Sequence, residues 1–175
     1  VELVKLTQLL SSPMIQLEGK RVPPIHRANN IVCFCRLNAT DLNAPQKGRA
    51  LHHRCVLIVS LKTSVTVYVD DRAIPLHPAE ALLVFPFQFH DYMDPEEEDL
   101  LWLFVTFDLE DTSAFEEFRY KPFRFSSKLR ALANELIQAY LAPGHEELTI
   151  SIFRHMLEKI KLVNPIERES QTPSR

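Results

Sequence analysis

The sequence predicts a mainly β domain, an antiparallel sandwich or small barrel, followed by two helices. Three observations lead there. Short runs rich in Val, Ile, Phe and Tyr recur about every ten residues up to residue 109, with turn signals between them. From residue 126 the apolar spacing changes to a helical period. Only 3 glycines stand against 12 prolines, so the turns between strands must be made largely without glycine.

The elements follow in order. NIVCFCRL (30–37) alternates, with Ile31, Cys33, Cys35 and Leu37 on one face and Val32, Phe34 and Arg36 on the other. RCVLIVSL (54–61) is a continuous β-branched run, as expected of a strand buried on both sides. SVTVYVD (64–70) alternates, Asp70-Asp71 supply a turn, and AIPL (73–76) follows. After HPAE comes ALLVFPF, which breaks into Gln88, His90, Asp91 and Tyr92. The acidic stretch DPEEED (94–99) reads as a solvated hairpin tip. In LLWLFVTFDL (100–109), Leu101, Leu103, Val105 and Phe107 face one way, and Trp102, Phe104 and Thr106 the other.

SSKLRALANELIQAYL (126–141) is a helix with Ser126 or Ser127 as N-cap and Leu129, Leu132, Ala133, Leu136 and Tyr140 on one face. HEELTISIFRHMLEKIKLV (145–163) is a second helix, stopped before Pro165. Its apolar arc of Ile150, Ile152, Phe153, Met156, Leu157, Ile160 and Val163 is wider than one contact with the barrel needs. Part of it is therefore expected to face a second copy, with Phe153, Met156, Leu157 and Ile160 at the dimer contact. The polar end NPIERESQTPSR reads as a linker.

Composition narrows the function classes. The 175 residues suit one domain with a helical appendage, and the 46% hydrophobic and 25% charged content is ordinary for a soluble globular chain. A net charge of −3 suggests no whole-chain polyanion surface. Three cysteines without framework spacing argue against a secreted disulfide scaffold. No apolar run approaches the ~20 residues that span a bilayer, and VELVKLTQLL lacks a basic leader region. A cytoplasmic location and no membrane contact are the expectation.

The order of elements, with RALHHRCVLIVSL, VTVYVDD, LHPAEALLVFPFQFHDY and LWLFVTFDL as its strongest stretches, resembles the N-terminal cupin-type domain of AraC-family transcription regulators. The resemblance covers residues 30–165 and includes the pattern P-x-x-x-H-x-Y. It implies a cupin-like, jelly-roll type antiparallel β-barrel followed by an antiparallel helix pair. Residues 1–125 would be the effector-binding barrel with an N-terminal arm, 126–164 the dimerising helices, and 165–175 a linker to a DNA-binding domain outside this chain. The implied partners are a small-molecule effector, a sugar or sugar acid among the candidates, a second copy of the chain, and DNA only through that further domain. No cofactor is implied. The family usually places glycine where this sequence has Ala79, and often another shortly before the histidine, where only Phe87, Gln88 and Phe89 separate Pro86 from His90.

The candidate ligand contacts are His90 and Tyr92 at a strand's exit, Trp102 and Phe104 as a stacking wall, and Arg49 or its rival Arg36 for a bidentate contact. The resemblance places Arg49 near a ligand-contacting arginine of the arabinose-responsive member. A small metal-dependent cupin enzyme, an isomerase or dioxygenase, is the alternative. His52 and His53 invite it, yet adjacent residues on a strand point to opposite faces and no glutamate follows before Glu80. Cys33 and Cys35 share a face but have no second pair, so buried thiols are expected there and no metal site.

Overall fold

The computed structural model of the chain describes residues 28–38, 53–93, 95 and 98–168. Among the described residues, eight strands and two helices follow one another: β1 (Asn29–Asn38), β2 (Cys55–Ser60), β3 (Val65–Val69), β4 (Arg72–Leu76), β5 (Glu80–Val84), β6 (His90–Met93), β7 (Asp99–Asp108), β8 (Phe123–Arg124), α1 (Ser127–Leu141) and α2 (Glu146–Ile160), with a 3-10 turn at Ser113–Phe118 before β8. The strands form two antiparallel sheets, β1-β7-β2-β5-β8 and β4-β3-β6. The architecture is the one expected, an antiparallel β sandwich followed by a helix pair.

The apolar pattern of each strand decides which layer it meets. Every residue of β2 is buried, because the larger sheet is covered on both faces. On its inner face Val56, Ile58, Leu82, Val84, Trp102 and Phe104 meet Val65, Val67, Val69, Ile74 and Leu76 of the smaller sheet. On its outer face Leu57, Val59, Leu83, Leu103, Val105 and Phe107 meet Leu129, Leu136, Phe153, Met156, Leu157 and Ile160 of the helices. The two alternating sets of β7 thus separate as the period of two requires, with Leu101 the one exposed member of its set. Residues 142–145 join the helices, a connection short enough to return α2 alongside α1.

Local chemistry sets the ends of the helices. The Ser126 hydroxyl accepts from the Leu129 amide at the start of α1, which selects the first of the two expected caps, Ser126 and Ser127. α2 ends at Ile160 rather than running to 163; a turn takes over at Lys161 and Leu162. Leu162 lies outside the helix and is exposed.

Two expectations are corrected. β6 and β7, the strands that flank the acidic stretch, belong to different sheets and so do not pair as the expected hairpin. Phe153, Met156, Leu157 and Ile160 are 0%, 0%, 4% and 0% exposed within a single chain. The outer face of the five-stranded sheet is wide enough to take that whole stripe, which leaves none of the four for a partner to cover.

Candidate functional site

β6 carries the two polar residues that interrupt the apolar run. His90 pairs with Val69 and Tyr92 with Val67 on β3, and period two turns both toward the larger sheet. Opposite them, β1 and β7 run antiparallel with Phe34 level with Phe104 and Arg36 level with Trp102.

The result is one connected aromatic cluster. Tyr92 stands edge-on to Trp102 at 5.9 Å and to Phe104 at 5.8 Å between ring centroids. His90 stands edge-on to Tyr92 at 6.0 Å. Phe34 lies flat on Phe104 at 5.0 Å, and the Arg36 guanidinium sits 5.1 Å above the Phe34 ring. These are the geometries that ring quadrupoles and cations favour.

Depth divides the group. Trp102 is 0% exposed, and its indole N–H donates to the Thr63 carbonyl at 2.9 Å. Phe104 and Tyr92 are also buried, whereas Phe34, Arg36 and His90 are half-buried. Burial pushes the Tyr92 phenol far above its ordinary range; the charge of Arg36 opposes this and that of Asp91 adds to it. The phenol is therefore neutral at physiological pH.

The segment between β5 and His90 is pinned rather than loose. Buried Gln88 accepts from the Phe85 amide at 2.9 Å and donates to Asp70 at 3.0 Å. Asp70 also accepts from the Phe89 amide at 3.0 Å and from the Tyr120 hydroxyl at 2.8 Å. Burial raises the Asp70 carboxyl, but the bonds from Tyr120, Gln88 and Phe89 and the charge of Arg119 outweigh it and hold the pKa below its usual value. Asp70, Phe87 and Tyr120 all adopt left-handed backbone, at φ 54°, 63° and 61°. Phe87 is held 65% exposed in the middle of this segment. Arg119 lies 4.4 Å over the Phe85 ring and Arg72 4.3 Å over that of Tyr120.

The structure brings His90, Tyr92, Trp102, Phe104 and Arg36 together. Arg49 and His52 lie outside the described residues. Phe34, Gln88, Asp70 and Tyr120 belong to the arrangement although sequence reasoning assigned them no part in it. Phe34 alone was within reach, since it shares a face with Arg36. Trp102 is sealed inside the sandwich, so the aromatic surface reachable from outside is Phe34.

Among the described residues, neither cysteine of the C-x-C pair has metal-ligating company. The Cys33 thiol is half-buried and pushed up to about 11 by burial, and Cys35 is exposed. Among the described residues, no three His, Cys, Asp or Glu side chains are placed to hold a metal ion. A cleft of 360 Å³ lies between the start of β1 and the tip of the helix pair, lined by residues including Asn29, Ile31, Tyr140, His145 and Thr149. Around that tip Tyr140, Leu141 and Leu148 are exposed. None of the described helices is long and apolar enough to cross a membrane.

No family model and no curated protein matches this chain. Among solved structures it is similar to the AraC-like transcriptional activator CuxR, at 11% identity and a TM-score of 0.46, over 81% of this chain and 52% of that one. It is also similar to a cupin 2 domain-containing protein from Halorhodospira halophila, at 14% identity and a TM-score of 0.31, over 64% of this chain and 82% of that one. The chain spans about half the length of the activator.

Proposed function

We propose that this chain is the regulatory domain of an AraC-type transcription regulator, sensing a small molecule at the rim formed by Arg36, Phe34 and His90. One observation carries the reading. Residues far apart in the sequence, within the stretches that resemble that family, converge on one aromatic cluster with a cation and an imidazole at its accessible side. Phe34 offers a flat apolar face, Arg36 a five-donor fork and His90 a ring that donates or accepts. That set suits a ring-shaped ligand bearing hydroxyl or carboxylate groups, such as a sugar or sugar acid. Tyr92, Trp102 and Phe104 form the rigid floor beneath it.

Dimerisation belongs to the same proposal, but through the exposed tip of the helix pair. Tyr140, Leu141 and Leu148 are its apolar side chains there. DNA contact falls to a separate domain.

A thermal-shift screen against sugars and sugar acids tests the proposal, because a ligand that binds only the folded state raises its melting temperature. A compound that stabilises the unchanged chain but neither His90→Ala nor Arg36→Met supports it. A compound that stabilises all three equally places the ligand elsewhere and overturns the site.

A further inference from the structure

The chain leaving α2 does not lift away from the domain. Pro165 forms an antiparallel bridge with Phe123 of β8, and the Ile166 amide donates to the Pro122 carbonyl at 2.7 Å. These are strand-type contacts, made at the β8 end of the larger sheet. Two ion pairs follow: Glu167 with the Lys121 ammonium at 2.7 Å, and Arg168 with Glu80. Arg168 also donates to the Pro75 carbonyl.

The two pairs differ in weight. The Glu167 side chain is 76% exposed, and an ion pair in open solvent contributes little. The Glu80 side chain is 9% exposed, and a buried carboxylate needs partners for its oxygens. One oxygen accepts from the His77 amide at 3.0 Å, and the other takes the Arg168 guanidinium. A single bridge and one backbone hydrogen bond against a two-residue strand are a weak hold, so the Arg168 contact decides whether the segment stays down. Glu80 also opens β5, paired to Ser60 on one side and Arg124 on the other.

We infer that residues 165–168 form a releasable clasp, latched by Arg168 on Glu80, that fixes the direction in which the chain leaves the domain. Docked, it adds a short edge element beside β8; released, it frees the chain beyond Val163 to point elsewhere. The clasp lies at the opposite end of β5 from His90 and stands whether or not the Arg36 rim binds an effector.

Amide hydrogen exchange of the full 175-residue chain tests it. The Ile166 amide is expected to be protected in the unchanged protein. Arg168→Met or Glu80→Gln should raise its exchange rate about ten- to a hundredfold, the effect of losing one charge-assisted contact, with the Leu57 and Val105 amides unchanged. Glu167→Gln should alter it less than about threefold. Trypsin should cleave after Lys161 faster in Glu80→Gln than in the unchanged chain. If Glu80→Gln also loosens the core amides, Arg168→Met decides, because Arg168 lies outside both sheets. An Ile166 amide unprotected from the start, or equally protected in Arg168→Met and the unchanged chain, overturns the clasp.

Discussion

Ala79 occupies a position that glycine would fill with less strain. Its backbone is left-handed at φ 64°, held by its amide donating to the Ser60 carbonyl at 2.9 Å and its carbonyl accepting from Phe125 at 2.8 Å. A Cβ in that region crowds the backbone, and glycine relieves the crowding at some cost in unfolded-state entropy. Ala79→Gly is therefore expected to stabilise the chain by about 0.5–1 kcal/mol in urea unfolding. The paired residues of the proposed site behave differently from each other. Trp102→Ala removes a fully buried indole and its bond to Thr63, and should destabilise the protein by about 3–5 kcal/mol. His90→Ala, at the half-buried edge, should weaken effector binding by about 1–3 kcal/mol while leaving the melting temperature of the unliganded protein nearly unchanged. If His90→Ala instead destabilises as much as Trp102→Ala and spares affinity, the histidine is structural.

Among the elements, α2 divides most sharply between what it buries and what it offers. Its stripe from Phe153 to Ile160 fills the outer face of the larger sheet, with Phe153 packed at 4.7 Å on Phe107. Leu157→Glu would bury an unpaired charge in that core and should lower stability by at least about 3 kcal/mol, whatever the association state. Leu148, in the first turn of the helix and 49% exposed, has no such duty. Leu148→Glu should leave the melting temperature unchanged and, if the tip of the helix pair is the dimer contact, convert a dimer to a monomer by sedimentation. A chain that sediments as a dimer both before and after that change moves the contact away from the tip.

For the whole molecule, closure depends on Asp70, which ties the β3–β4 turn to the segment before His90 and to Tyr120. Its folded pKa lies below the ordinary 3.8, so its contribution is complete above that value and is lost as pH falls through the folded pKa. Asp70→Asn keeps the left-handed backbone that Asn tolerates but removes the charge. The unchanged protein should lose more stability than the variant between about pH 5 and pH 2, measured by urea midpoints. Parallel curves would mean that the three segments are held by other contacts. The net charge of −3 leads to a further expectation: this chain alone should show no sequence-selective retention of a promoter fragment at about 150 mM salt.

The period-two and 3.6-residue patterns were enough to fix the strand faces of 101–107, the doubly buried 55–60 strand and the start of α1, because burial acts on each short stretch almost independently of the rest. The family resemblance, rather than any periodicity, made His90, Tyr92, Trp102 and Phe104 candidate ligand contacts, and strand alternation put Arg36 on one face with Phe34. Tertiary structure alone decided how deep each would lie. Trp102 is sealed and Phe34 reachable because β1 and β7 pair in a register that lays Phe34 over Phe104. The same applies to the fate of the α2 stripe: its width was legible, but whether a sheet or a second copy covers it depends on how much of the outer face β1, β7, β2 and β5 assemble. Contacts such as Tyr120 with Asp70 and Arg168 with Glu80 join residues 50 and 88 positions apart. No local pattern encodes them, because they exist only once the crossing connections between the two sheets have set which ends of the strands come together.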